Sequence, residues 1–222
     1  MNDAAAVSRR TRPAKEPLTR AGIVAAAAGI LASEGLGKVT LRSVAKVLDT
    51  GHASLYVYIR NTADLHAQLL DGQLAKIAFP DSADWRSALK LTLNRYLEVL
   101  NEYPEISKMA LVTRPSGPNY LALVDGLVGL LLAGGASRKA AAWGIDLLLL
   151  YPTAIAVEHA PGADSQGPAA QAARIETADP EDYPNISALA GELFTGTGMG
   201  RFDWALDVLI EGIISAHSGG KL

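Results

Sequence analysis

The sequence predicts an all-α chain: an N-terminal three-helix helix-turn-helix head joined to a larger helical body, about nine to ten helices in all. Three observations carry this. Apolar residues make up 49% of the 222 positions, and Ala and Leu dominate them, which favours helix over sheet. Between Gly and Pro punctuation, apolar positions recur at spacings of three and four. Between Thr40 and Asp64, two short helical runs flank the turn-forming Asp49-Thr50-Gly51.

Taken in order, residues 1–17 are small, polar and basic, with Pro13 and Pro17, and predict a flexible basic arm. Thr19 is an N-cap for a helix carrying Ile23, Ala26, Ala27, Ile30 and Leu31 to about Ser33, stopped by Gly35. Thr40 caps the next helix, whose Leu41, Val44, Ala45 and Leu48 share one face. A second short helix follows over Ala53–Tyr58, closed before Asn61. Asn61 or Thr62 then caps a fourth helix, with Leu65, Leu69, Leu70, Leu74 and Ile77 as its apolar face. Residues 18–64 thus form the head and 65–80 a connecting helix. Phe79 to Asp84 is a joint and the best candidate for a domain boundary, and residues 81–217 form the body.

In the body, Leu89, Leu93, Tyr96, Leu97 and Leu100 mark a helix from Trp85 to about Tyr103. A short one covers Ile106–Val112, and another runs from Tyr120 to Leu132, stopped by Gly134-Gly135. Ser137 caps a long apolar helix with a kink expected at Pro152. Residues 160–184 lack a core-facing pattern and predict a mobile stretch, with at most a helical turn over Ala169–Ile175. Ile186 to Phe194 and Phe202 to Ala216 complete the chain's helices.

Charge is unevenly placed. The chain carries −3 overall, but residues 1–60 carry +5 and the remainder −8. A basic head on an acidic body suits a phosphate-binding module. Cysteine is absent, which fits a reducing cytoplasm and removes disulfides and thiolate metal sites. No signal peptide is visible. The best membrane candidate, Ala140 to Val157, is interrupted by Asp146 and Pro152 and reads as a buried helix. Catalytic patterns are also missing. His52, His66, His159 and His217 form no HxxxH or HExxH pair, and there is no phosphate loop, GxSxG or Cys nucleophile. Asp203 and Asp207 can share a helix face, as a solvated pair would.

Gly35, Thr40, Leu41, Arg42, Val44, Ala45, Ser54, Leu55, Tyr56 and Asn61, at these spacings, resemble the tetracycline-repressor (TetR) family of bacterial transcription regulators over about residues 19–77. The run Phe202 to Ile213 is similar to the last helix of that family's C-terminal domain. The resemblance implies that the second helix of the pair lies in a major groove of double-stranded DNA. Arg42 and His52 would read base edges, and Ala53 would meet a thymine methyl. Thr40, Ser54, Tyr56, Tyr58 and Arg60 would hold phosphates, and Gly51 would lie among the DNA-binding residues. Three departures stand out. The family commonly has Leu-Gly-Val where this chain has Leu48-Asp49-Thr50, Lys where it has Thr62, and an aromatic followed by His where it has Val57 and Tyr58.

The resemblance further implies a homodimer on a palindromic operator, released by a small-molecule effector. No cofactor, metal or membrane partner is expected. Tyr96, Met109, Tyr120, Trp143, Leu147 and Tyr151 are candidates for the effector site. Leu150, Ala154, Leu206, Leu209, Ile210 and Ile213, on the long and last helices, are candidates for the partner interface. The residues alone leave open whether these side chains meet a ligand and a partner or fill an ordinary core. They also leave open a helical binding module that has lost DNA binding, and activation in place of repression.

Overall fold

The computed structural model describes residues 17–82, 84–112, 115–160 and 167–216. Among them the chain forms eleven α-helices and no strand, in two compact units that meet at Leu65/His66. The meeting point lies inside a helix and not at the joint after Phe79. Residues 1–16 of the expected arm, with Arg9, Arg10 and Arg12, fall outside the described residues.

The N-terminal unit holds α1 (Arg20–Glu34), α2 (Leu41–Val47), α3 (His52–Leu55) and the start of α4 (Thr62–Leu74). Its helix starts follow from side-chain capping. The Thr19 hydroxyl accepts from Gly22 N–H at 3.0 Å. At α2, Thr40 and Ser43 cap reciprocally: Ser43 N–H donates to Thr40 Oγ1 (3.1 Å) and Thr40 N–H to Ser43 Oγ (3.0 Å). Asn61 starts α4, its Oδ1 accepting from Asp64 N–H at 2.8 Å. Ile23, Ala27, Ile30, Leu41, Val44, Leu55 and Ile59 are buried, which makes one apolar core from four short segments.

The C-terminal unit continues α4 and adds α5 (Trp85–Glu102), α6 (Pro104–Val112), α7 (Pro118–Ala133), α8 (Arg138–Glu158), α9 (Gly167–Glu176), α10 (Pro184–Leu193) and α11 (Gly198–Ser215). The central element is α8, which packs against α5, α6, α7 and α11. Its buried face is Ala141, Gly144, Ile145, Leu148, Leu149, Pro152, Thr153 and Ala156, and the helix is unbroken through Pro152. At Gly144 an added Cβ would stand 2.7 Å from the Ile213 side chain, so this glycine lets α11 approach closely. By length and composition α8 does meet the threshold for crossing a membrane, contrary to the expectation from Asp146 and Pro152. Its packing against four neighbours is that of a core helix.

Several boundaries differ from expectation. Residues 167–176 form a full helix, α9, which packs with α10 as a hairpin and makes the eleventh helix. Helix α11 begins at Gly198, earlier than Phe202, because Thr197 caps it through Gly200 N–H at 3.0 Å. The last helix is locked to α5 by ion pairs. Lys90 Nζ reaches Asp203 (2.9 Å) and Asp207 (2.8 Å), and Arg86 reaches Glu211 (2.8 Å). Burial lowers the Lys90 pKa, but the hydrogen bonds to Asp203 and Asp207 outweigh it and leave the ammonium above its ordinary value. The Asp203–Asp207 pair is therefore part of this interhelical lock.

Candidate nucleic-acid interface and ligand cavity

The geometry of the helix pair is set by the turn after α2. Asp49 adopts φ 48°, the left-handed region, while Gly51 sits at an ordinary φ of −68°. Thr50 N–H reaches back to Ala45 O at 2.9 Å and Asp49 N–H to Lys46 O at 3.2 Å. Those two bonds are a Schellman ending, which normally places Gly at this position. Asp is among the few L-residues that tolerate the conformation, so the departure from Leu-Gly-Val leaves the turn intact. Gly51 needs no special backbone, and a Cβ there would make only ordinary contact with Ser54 Oγ at 3.7 Å.

Around this turn, Thr40, Arg42, Gly51, His52, Ala53, Ser54, Tyr56 and Arg60 are exposed and Tyr58 is half-buried, whereas Leu41, Val44 and Leu55 are core. Helix α3 starts at His52, one residue before the expected Ala53. It has four residues and passes into a turn, with Tyr56 N–H bonded to Ala53 O at 3.3 Å and Tyr58 N–H to Leu55 O at 2.9 Å. One turn apart, His52 and Tyr56 pair edge-to-face at 5.1 Å, with Tyr56 Oη 3.4 Å from His52 Nε2. Arg60 is held by Asp64, whose carboxylate accepts from Arg60 N–H at 2.9 Å and from its Nε at 3.4 Å. The Thr40 hydroxyl is engaged in capping α2, a bond its phosphate role would have to share.

The C-terminal unit contains a cavity of about 190 Å³ lined by Tyr96, Ala110, Leu111, Pro115, Tyr120, Asp146, Leu149, Leu150 and Thr153. Its floor is polar. Tyr96 is 4% exposed, and its hydroxyl lies 2.9 Å from Thr153 Oγ1, which in turn donates to Leu149 O at 2.7 Å. The arrangement that uses both protons has Tyr96 donating to Thr153. Burial pushes the Tyr96 phenol above its usual pKa, so it stays neutral.

Of the six expected effector residues, the cavity brings together Tyr96 and Tyr120. Met109 is half-buried outside the lining, and Tyr151 stacks on Phe202 at 5.4 Å. Trp143 and Leu147 face outward, 61% and 49% exposed. They line a separate apolar groove of about 270 Å³ with Ala140, Gly144, Val208, Leu209, Gly212, Ile213 and Ala216. The expected partner-facing set divides as well. Leu206 and Ile210 are fully buried within the chain, and Ile213 is nearly so. Leu150 lines the cavity, Leu209 and Ile213 line the groove, and Ala154 is exposed. Both sets divide for the same reason: α8 and α11 are apolar on more than one face, so periodicity cannot say which face turns inward.

The comparisons agree with this architecture. Residues 79–216 match the family model described as the tetracyclin repressor-like C-terminal domain. A helix-turn-helix-type transcriptional regulator of Saccharopolyspora erythraea is 30% identical over 132 residues, covering 58% of this chain and 54% of that protein, so the match spans about half of that relative's length. Among solved structures, the proposed transcription regulator SCO7704 of Streptomyces coelicolor is 40% identical. It covers 94% of this chain and 100% of its own, with a TM-score of 0.79. ActR of the same organism, without ligand, is 30% identical over 90% of this chain and 98% of its own, at a TM-score of 0.77. ActR, named as a TetR family protein, has also been solved with actinorhodin. With a family model matched over more than half its length, and the helix-turn-helix ahead of it, this chain belongs to the TetR family of transcription regulators.

Proposed function

We propose that the protein is a homodimeric repressor that binds a palindromic DNA operator through α3 and releases it when a small molecule fills the cavity of the C-terminal unit. The observation that carries this is the intact turn at Asp49, with Arg42, His52, Ser54, Tyr56 and Arg60 all exposed around it. Arg42 and His52 are the base readers, and Arg matches the two acceptors of guanine. Thr40, Ser54, Tyr56, Tyr58 and Arg60 fix the register on phosphates. The Schellman closure keeps the helix pair together despite Asp49 and Thr50, which favours DNA binding over a module that has lost it, while Thr62 still stands where the family commonly has Lys.

The groove along α8 and α11 supports pairing of two copies. Trp143, Leu147 and Val208 are each about half or more exposed, and Gly212 leaves room for close approach. An exposed apolar strip of this kind marks an interaction surface. The partner face is then Trp143, Leu147, Val208, Leu209 and Gly212, with Leu206 and Ile210 behind it as intrachain core. The polar floor at Tyr96 and Thr153 and the apolar walls suit an effector with a few hydrogen-bonding groups. That ActR has been solved with bound ligand supports the assignment.

The test is selection of bound duplexes from a random pool at two salt concentrations. An enriched palindrome whose affinity falls steeply with salt supports the reading. Salt-sensitive binding with no enriched sequence, or no binding to any duplex, refutes it.

A further inference from the structure

The N-terminus of α7 is capped from another helix. Gly117, at its N-cap position, offers no side chain, and Asp71 of α4 takes its place. Asp71 Oδ1 accepts from Tyr120 N–H at 2.9 Å, and Oδ2 accepts from Asn119 Nδ2 at 3.0 Å and Asn119 N–H at 3.4 Å. The carboxylate is 7% exposed, so it sits in the packed interior facing the positive end of a 16-residue helix. The site is shaped for this approach. A Cβ at Gly117 would fall 2.1 Å from Asp71 Cγ, so no other residue fits there without moving Asp71. Three residues on, Tyr120 lines the cavity. A single carboxylate thus joins α4 to the turn of α7 that presents a cavity wall, and α4 itself begins in the N-terminal unit at Thr62.

We propose that Asp71 is the positioning residue through which an occupant of the cavity acts on α4. Displacing Tyr120 moves the backbone amides that Asp71 holds, and α4 follows or the buried carboxylate loses its donors. This rests on the reading of the cavity as the effector site. It makes Asp71 a determinant of the coupling between ligand and DNA, and not of either affinity alone.

The chain has no cysteine, which allows a tethered stand-in for the ligand. Leu111 lines the cavity and is 41% exposed, so Leu111→Cys places one reachable thiol there. The probe is monobromobimane, a compact bicyclic label. The readout is the ratio of operator Kd after labelling to that before, on the operator recovered by selection. It is measured in Leu111→Cys, in Leu111→Cys with Asp71→Asn, and in Leu111→Cys with Asn119→Ala. Labelling is expected to weaken operator binding by about tenfold or more with Asp71 in place, within the usual range of coupling factors. With Asp71→Asn the ratio falls to less than about twofold, because the isosteric amide opposes its NH2 to the α7 donors. Asn119→Ala, which removes one donor and keeps the carboxylate, gives an intermediate ratio and carries the test if Asp71→Asn fails to fold. A merely structural Asp71 would change labelled and unlabelled affinities alike and leave the ratio at the parent value, and that result overturns the proposal. A label that leaves operator affinity unchanged with Asp71 present overturns the effector-site reading, and the proposal with it.

Discussion

Asp49 and Gly29 make opposite predictions for the same substitution. At φ 48° an ordinary L-residue bears about 1–2 kcal/mol of crowding between Cβ and carbonyl, and Asp bears less of it than Ala. Glycine bears none, but it loses about 0.5–1 kcal/mol more chain entropy on folding. Asp49→Ala should therefore destabilise by about 1 kcal/mol, while Asp49→Gly should fall within about 0.5 kcal/mol of the parent. Gly29 lies within α1 with open space around its missing Cβ. Gly29→Ala should stabilise by about 0.5–1 kcal/mol. The assay is thermal and urea unfolding by far-ultraviolet circular dichroism at fixed protein concentration, which removes any effect of self-association from the comparison. Each kcal/mol corresponds to about 2–4 °C at this chain length if unfolding is a single transition. All three tryptophans, Trp85, Trp143 and Trp204, lie in the C-terminal unit, so their fluorescence shows whether the head unfolds separately. An Asp49→Ala protein as stable as the parent would refute the left-handed turn. Gly29→Ala destabilising the protein would refute the account of α1.

Arg42→Ala should weaken operator binding by about 1–3 kcal/mol and relax specificity at one base pair per half-site, read by repeating the duplex selection. Leu206→Ala should cost about 2–5 kcal/mol of folding stability because it opens a hole in the intrachain core. Trp143→Ala should instead raise the dimer dissociation constant with little effect on the monomer's helix content, as sedimentation and circular dichroism would show. Tyr96→Phe removes the hydroxyl bonded to Thr153 and should cost about 1 kcal/mol in urea unfolding, because Thr153 keeps Leu149 O as its acceptor. Hydrogen bonds from Ser87 hold the Asp84 carboxyl below its ordinary value. A depressed folded pKa contributes stability above the unfolded value of about 3.9, lost as pH falls through the folded one. The stability gap between parent and Asp84→Ala should thus be constant near neutrality and close below about pH 4. A gap that widens on acidification would contradict the sign.

The helix starts were legible because Ser, Thr, Asp and Asn announce them locally: Thr19, Thr40, Ser137 and Asn61 all cap as their positions suggest. The identity of inner and outer faces was not legible on α8 and α11. Trp143, Leu147, Leu150 and Ala154 form one stripe and Ala141, Ile145, Leu148 and Ala156 another, and hydrophobicity does not separate them. One signal could have placed α11. Arg86 and Lys90 are four apart on α5, and Asp203, Asp207 and Glu211 are four apart on α11, so complementary charge ladders specify how the two helices align. That alignment turns Leu206 and Ile210 inward. Asp71 left a fainter trace, as a lone carboxylate between Leu70 and Leu74 in an apolar helix face. Nothing local points from it to Gly117 and Asn119, almost fifty positions away.

The placement of the cavity and the groove has a consequence for dissecting either. Both are partly built from α8: Asp146, Leu149, Leu150 and Thr153 line the cavity, and Ala140, Trp143, Gly144 and Leu147 line the groove. Asp146 and Leu147 are adjacent, so the two linings meet within one turn of a helix that packs against four others. Close-packed helices move as rigid bodies, and a shift that accommodates a ligand on one face is carried to the other. Substitutions on α8 will therefore mix effects on ligand and on pairing, whichever lining they belong to. The groove's other wall does not have this ambiguity. Val208 and Gly212 of α11 line the groove and take no part in the cavity lining. The groove is best perturbed there, and the cavity at Leu111 on α6, which keeps α8 as the common reporter of both.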